Sequence, residues 1–149
     1  MKAIVKRVAL TVTAATCMYI GTPSEAAADY VSFDEMYSSA SAYGYTFSDT
    51  MQQLAGREIT MEGFMAPPLK PSINFFVLTA VPMSVCPFCS TDADWPDDII
   101  VVKVSEPVTA LPFDAPIQVT GTLELGSEVD PDTGFVSQAR IHAYNISVL

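Results

Sequence analysis

The sequence predicts a mostly β protein: a small five-stranded OB-like barrel with a short N-terminal helical segment. Five segments between residues 58 and 148 have the apolar or alternating pattern of strands, and turns rich in Pro, Gly and Asp separate them. Gly63 and Gly121 fall inside two of these strands, where a small barrel needs a bend or bulge. A barrel also protects strand edges, and we favour it over a five-stranded sandwich with a helical lid.

The residue pattern in the N-terminal part of this domain predicts helical structure. Apolar side chains recur at helical spacing over residues 30–45, which predicts a short helix or helical turn with Ser32 as its cap and Glu35 completing a capping box. A further helical turn is predicted over Ser48–Leu54, ended by Gly56.

The strands follow Gly56. They are predicted over residues 58–65, 72–80, 98–104, 117–125 and 135–148. Residues 105–115 contain Pro107 and Pro112 and are predicted to form a loop. Residues 128–134 combine an Asp-Pro-Asp cluster with Gly134, which predicts the turn between the last two strands.

Residues 1–28 have the layout of a secretory signal peptide. Three basic residues lie within residues 2–7, an uncharged stretch covers residues 8–20, and three alanines precede Asp29. The uncharged stretch is shorter than the roughly 20 residues that span a bilayer, so we expect no transmembrane segment.

The domain is therefore expected to cover residues 29–149 and to be periplasmic or secreted. Cys17 raises the alternative of a lipid anchor, which is less favoured because residues 14–16 lack the Leu and small residues expected around such a cysteine. A chain of this length forms one domain with a single modest core.

The charge of residues 29–149 disfavours nucleic acid as a partner. Four basic residues face 16 acidic residues, which gives a net charge of −12. Phosphate binding depends on Lys and Arg, so nucleic acid is excluded, whereas a cation or a basic protein partner is favoured.

Cys86 and Cys89 are the most informative residues, because they are the only cysteines after residue 28. Two thiols at this spacing can form a disulfide, hold a metal ion or exchange disulfides. Disulfide exchange is the least favoured. It needs a helix that begins at the cysteines, but only nine residues, including Pro96 and four aspartates, separate Cys89 from Ile99. The nearby negative charge would also raise the pKa of a cysteine thiol.

A metal site would need further ligands. His142, with Asp92 or Asp94, could complete a zinc site with the two cysteines, although a lone strand histidine is more often an ordinary surface or core residue. Scattered methionines could suggest copper, but core packing explains them better. We therefore expect no cofactor, with zinc or copper as the alternative.

The turn from Cys86 to Asp98 is the candidate binding surface. It offers exposed aromatic area and negative charge on a scaffold of strands. The candidate residues are Phe88, Asp92, Asp94, Trp95, Asp97 and Asp98. Trp95 could alternatively cover one end of the barrel. The sequence has no phosphate-binding loop and no Gly-x-Ser-x-Gly motif, so we predict a protein that is not an enzyme.

A series of motifs resembles a known family. The motifs are Leu54–Ile59, Glu62–Pro67, Phe76–Thr79, the cysteine turn, the Pro-Asp-Asp before a Val-rich strand, and Val119–Leu123. In this order they resemble a bacterial family of small exported OB-like proteins, a domain of unknown function often found near ABC-type transport systems. The resemblance covers roughly residues 47–148 and implies an accessory or binding role in an envelope transport system, with a transporter component as partner. The alternatives are a periplasmic metal-binding protein that uses Cys86 and Cys89, and a thiol-disulfide exchange protein.

We predict that Cys86 and Cys89 form a disulfide with each other. Export into an oxidising compartment favours oxidation of a close cysteine pair, and no other cysteine follows residue 28. Intact mass spectrometry without reductant should show a loss of about two daltons relative to the reduced chain, the mass of two hydrogens. Labelling of two free thiols per chain would instead favour the metal site.

Overall fold

One mixed β-sheet contains most of the described chain. The structure is a computed structural model, and it describes residues 27–41, 44–68, 72–84, 96–131 and 133–149. The elements in chain order are β1 (Asp29–Tyr30), a 3-10 turn (Phe33–Glu35), β2 (Tyr37–Ser41), β3 (Gly44–Phe47), α1 (Asp49–Leu54), β4 (Glu58–Met65), β5 (Ser72–Thr79), β6 (Ile99–Thr109), β7 (Pro116–Val129) and β8 (Val136–Val148). The protein is mostly β with little helix, as the sequence predicts. Within these ranges no helix has the length and apolar character needed to cross a membrane.

The six-stranded sheet has the order β1-β4-β5-β6-β8-β7, and β4 pairs with β7 as well. The β4–β7 ladder is long, joining residues 58–64 to residues 122–116, whereas β4 meets β5 only at Phe64 and Met65. β6 and β8 pair in parallel, and the other pairings among the five long strands are antiparallel. The pairings that begin at β4 therefore pass through β5, β6, β8 and β7 and return to β4.

In the described part of residues 30–45, the expected helix or helical turn is a single 3-10 turn at Phe33–Glu35. After the single 3-10 turn, β2 and β3 form a separate antiparallel hairpin. The ring of Tyr37 lies 5.0 Å from that of Tyr45 and 5.2 Å from that of Phe47, between ring centroids. Cross-strand aromatic pairs of this kind stabilise a hairpin, and here they outweigh the helical spacing of the apolar residues.

The predicted capping groups are nevertheless in place. The Glu35 carboxylate accepts hydrogen bonds from the backbone N–H and the hydroxyl of Ser32. Ser48 caps α1, since its Oγ accepts a hydrogen bond from the Met51 N–H at 3.2 Å. The helical turn expected over Ser48–Leu54 is thus confirmed, with α1 at Asp49–Leu54.

The five long strands lie where the sequence predicts them, with two extensions. β7 continues to Val129, past the predicted end at residue 125 and through two residues expected to belong to the turn. β6 continues to Thr109 through residues expected to form a loop. Pro107 is tolerated because the β5–β6 ladder is irregular there: Lys103 and Val108 are the partners of Phe75 and Ile73, so four residues of β6 bulge opposite one residue of β5. A proline inside such a bulge removes no regular ladder hydrogen bond.

The main core lies on the inner face of these strands. Along β4, Ile59, Met61 and Met65 are buried while Glu58 and Glu62 are exposed, which is the period of two expected of a half-buried strand. Met36 after the 3-10 turn, together with α1 and the other long strands, adds further buried side chains to the same cluster. Those of α1 and the strands include Met51, Leu54, Phe76, Leu78, Ile100, Val102, Ile117, Val119, Leu123, Ala139 and Ile141.

Gly121 lies at a point where two strands approach closely. A Cβ at this position would lie 2.3 Å from the carbonyl oxygen of His142 and 2.7 Å from the Cα of Ala143. The β7–β8 register also shifts between Thr120 and Gly121. The sequence-based expectation of a bulge at this glycine is therefore confirmed, and the close approach is what requires glycine here.

We predict that Gly121→Ala destabilises the protein by about 2–3 kcal/mol, because the added methyl group meets backbone atoms that cannot move independently. Urea unfolding monitored by circular dichroism measures the loss. The matched control is Thr122→Ala, at the next and exposed position of β7, which should cost about 0.5 kcal/mol or less. Equal stabilities of the two variants would contradict the close approach.

Candidate functional site

The predicted binding turn falls largely outside the described residues. Cys86, Phe88, Cys89, Asp92, Asp94 and Trp95 all belong to that part, whereas Asp97 and Asp98 are described. The two ends of the turn meet, because Thr79 pairs with Ile99 and the Ala80 N–H donates to the Asp98 carbonyl at 3.0 Å. The turn therefore extends from the junction of β5 and β6.

A depression of about 240 Å³ lies at this junction, and we call it the acidic depression. It is lined by Phe33, Asp34, Tyr37, Ala80, Asp97 and Asp98. Three carboxylates and two aromatic rings thus meet where the predicted binding turn begins and ends. Such a lining attracts cationic groups through charge and offers ring surface for contact.

The 3-10 turn holds Phe33 and Asp34 at this depression. The backbone N–H and the hydroxyl of Ser32 both donate hydrogen bonds to the Glu35 carboxylate, and these bonds stabilise the start of the turn. The same bonds lower the pKa of Glu35. The ring of Phe33 also packs close to Gly63, where an added Cβ would lie 3.2 Å from its Cε2 atom. The N-terminal segment is thereby fixed against β4.

His142, the candidate metal ligand, lies on the outward side of β8, and its side chain is about half exposed. Its Nε2 is paired with the carboxylate of Glu124 on β7. Within the described ranges, no three His, Cys, Asp or Glu side chains are grouped closely enough to hold a metal ion. The described structure therefore brings His142 together with Glu124, and its predicted co-ligands Cys86, Cys89, Asp92 and Asp94 lie outside the described residues.

Arg140 is the one charged side chain that is buried in the described part of the chain, at 2% exposure. Its Nη1 donates to the carbonyl of Gly126 at 2.8 Å and to the carbonyl and hydroxyl of Ser137 at 3.1 and 2.9 Å. Its Nη2 lies 3.1 Å from Glu124, and its Nε lies 3.2 Å from Glu128 in an ion pair without a hydrogen bond. A planar guanidinium suits this many directed contacts.

These contacts extend into a chain of alternating basic and acidic side chains on the outer face. Glu128 also pairs with Lys103 on β6, and Glu124 also pairs with His142. The hydrogen bond from Arg140, and then that from His142, lower the pKa of Glu124 to about 2. We call Lys103, Glu124, Glu128, Arg140 and His142 the charge network.

Beside the charge network, an outer groove of about 520 Å³ runs between β5, β6 and β8. Its lining includes Phe75, Lys103, Asp130, His142 and Tyr144. The ring of Phe75 stacks with that of Phe135, at 6.0 Å between centroids, so the hairpin of β7 and β8 packs over the outer side of β5. The groove thus has fixed walls that combine rings with charges of both signs.

Sequence reasoning did not single out this groove or Arg140. The signal was weak, because the sequence predicts Glu124 within the strand over residues 117–125 but places Glu128 in the following turn. Arg140, one of four basic residues after residue 28, lies on the following strand. No sequence pattern indicated the groove, because its position depends on which strands become neighbours in the sheet.

Comparison with known proteins shows the fold. No family model matches the chain, and no curated protein matches it. Among solved structures, the chain is similar to the crystal structure of a DUF3299 family protein from Pseudomonas aeruginosa PAO1, with a TM-score of 0.55 and 14% identity over 83% of this chain and 97% of that chain. The neighbour belongs to a bacterial family designated as a domain of unknown function, the kind of family that the sequence motifs resemble.

We predict that Glu124→Gln reduces the dependence of stability on acid pH. Because the folded-state pKa of Glu124 lies below its ordinary value of 4.5, its contribution is present above that value and is lost as pH falls from about 4.5 to about 2. At pH 7 the variant should be less stable by about 1 kcal/mol, a value discounted for the partial exposure of the carboxylate.

Thermal melts between pH 2 and pH 7 measure this effect as the difference between wild type and variant. The difference should shrink steadily below pH 4.5. The control Glu62→Gln lies on β4, away from Arg140, and its side chain meets Gln118 instead. A difference between wild type and the Glu124→Gln variant that stays constant with pH would contradict the role of the charge network.

Proposed function

We propose that this protein is an exported, non-enzymatic binding protein with an OB-like barrel, which serves as an accessory component of an envelope transport system. The barrel is supported by the order of strand pairing, since the pairings return from β7 to β4 and include one parallel pair, β6–β8. A five-stranded barrel of this kind leaves its connecting loops free to carry binding function.

The contact surface in this proposal is the turn from Cys86 to Asp98. The observation that carries it is the acidic depression, where Asp97 and Asp98 meet Asp34 and the rings of Phe33 and Tyr37 at the base of the turn. A lining of carboxylates and rings favours a partner with Lys or Arg side chains, because it combines charge attraction with cation–π contact. The negative net charge of the chain also attracts a basic partner.

The transport role follows from the resemblance of the sequence motifs to a family found near ABC-type systems. It predicts that the partner is a transporter component with a basic exposed surface.

We predict that Asp97→Asn/Asp98→Asn weakens recovery of a transporter component at least threefold. The reason is loss of two charges from the acidic depression, each worth up to about 1 kcal/mol at an exposed contact. The purified protein, immobilised and exposed to solubilised envelope of its own host, reports bound proteins by quantitative mass spectrometry. Glu62→Gln/Asp114→Asn is the matched control, because it removes two acids outside the depression.

Trp95→Ala separates a contact role from a structural one. As a contact residue, Trp95 should be replaceable with little loss of stability but with weakened recovery of the partner. If Trp95 instead covers the barrel end, its replacement by Ala should reduce the free energy of unfolding by roughly 3–5 kcal/mol, as truncation of large buried aromatics does. A large loss of melting temperature with unchanged recovery, or recovery of no transporter component by the wild type, would overturn the proposal.

A further inference from the structure

β6 and β8 separate after a short parallel ladder. The ladder joins Val101–Val104 to Arg140–Ala143, and beyond it β6 continues beside β5 while β8 continues beside β7. A groove of about 350 Å³ lies between the two diverging strands. It is lined by Val104, Ser105, Glu106, Val108, Ala143, Tyr144, Asn145 and Ile146, and we call it the β6–β8 opening.

From Asn145 onward, after the register shift opposite Gly121, the β8 side of this opening is a regular strand edge. The Leu149 N–H donates to the Pro116 carbonyl at 3.0 Å, while Ile117 is opposite Val148 in the register. In an antiparallel ladder, hydrogen-bonded pairs alternate with pairs that share no hydrogen bond, so Ile117 and Val148 form a pair of the second kind. Two residues further along, Ile146 is in the same position opposite Val119. The backbone N–H and C=O groups of Ile146 and Val148 therefore point away from β7, on the side of β8 where Ile146 lines the opening.

These groups have the character of an unprotected edge. In the described ranges, the strand ladders and the other backbone hydrogen bonds give no partner on this side for Ile146 or Val148. The Val148 side chain is also 59% exposed. An edge of this kind is a template for pairing with another strand.

The β6 side is unsuited to such pairing but supplies the walls. Residues 104–107 bulge out of the β5–β6 ladder and include Pro107, which has no N–H to donate. Val104, Val108, Ala143 and Ile146 are partly buried and pack against the main core, so they form an apolar floor. Glu106 lies exposed at the rim, and its carboxylate is the one charged group that lines the opening in the described part of the chain.

We propose that the β6–β8 opening binds an extended, basic segment of a partner protein, which pairs with β8 as an added strand. The backbone of the segment would bond to Ile146 and Val148, its apolar side chains would cover the floor, and a Lys or Arg would meet Glu106. Charge selects this occupant, because an added basic strand is attracted to a chain of net charge −10. A second copy of the same chain would be repelled.

The inference concerns a surface other than the acidic depression, so it is tested separately. The probes are three synthetic octapeptides: alternating Lys and Val, alternating Glu and Val, and alternating Lys and Pro. The first can add as a strand with basic charge, the second has the opposite charge, and the third keeps the charge but lacks half of the N–H donors. Titration of isotope-labelled protein gives affinities and the residues whose amide signals move.

The Lys–Val peptide should bind best, and the signals that move should map to residues 104–109 and 143–148. Val148→Pro removes one N–H of the free edge without removing a bond to β7, and it should weaken binding about three- to tenfold, the worth of one backbone hydrogen bond. Val148→Thr keeps that N–H and is the matched control. Glu106→Gln should weaken binding of the same peptide, whereas Glu62→Gln on β4 should not.

A second measurement keeps the test decisive if Val148→Pro folds poorly. Amide exchange of Ile146 and Val148 in the wild type should slow when the Lys–Val peptide is added. The proposal is overturned if the peptide does not bind at millimolar concentration, if the Lys–Pro peptide binds equally well, or if the moving signals lie elsewhere. It is also overturned in favour of a second copy if sedimentation shows a dimer of the protein alone that Val148→Pro abolishes.

Discussion

The buried guanidinium of Arg140 is the interaction on which the outer surface of this protein depends. It ties together the two strands of the long β7–β8 hairpin through Glu124, Glu128 and the Gly126 carbonyl. Glu128 extends the connection to Lys103 on β6. A buried charge is costly to leave unpaired, so this set of contacts holds the hairpin in one arrangement over the outer side of the sheet.

That arrangement places the candidate surfaces. The hairpin packs Phe135 against Phe75 and so forms one wall of the outer groove. The parallel ladder of β6 and β8 spans only residues 101–104 of β6, next to Lys103 and Arg140, and beyond it the strands follow different neighbours. The β6–β8 opening thus begins where the charge network ends. The acidic depression lies apart, at the junction of β5 and β6 with the N-terminal segment.

Sequence patterns predicted the strands because alternation and turn residues are local signals. β4 has the predicted bounds of residues 58–65, and Gly121 lies at the bulge expected of it. The hairpin of β2 and β3 was missed because apolar residues over residues 33–40 recur at helical spacing, whereas the aromatic contacts join Tyr37 to residues eight and ten positions later. Arg140 was missed because its burial depends on the β7–β8 register, which a one-residue slip would reverse. Asp97 and Asp98 were predicted as binding residues from their place in the acidic turn, whereas their meeting with Asp34 depends on tertiary packing.

The two sides of the β6–β8 opening show how this edge is managed. Natural sheets protect an edge with proline, bulges or charge, and β6 has all three in Pro107, its bulge and Glu106. The β8 edge has none of them between Asn145 and Val148, and it is protected instead by the net negative charge of the whole chain. That general protection acts against copies of the same chain but not against a basic strand. An edge left open in this selective way is the physical basis for expecting a partner there.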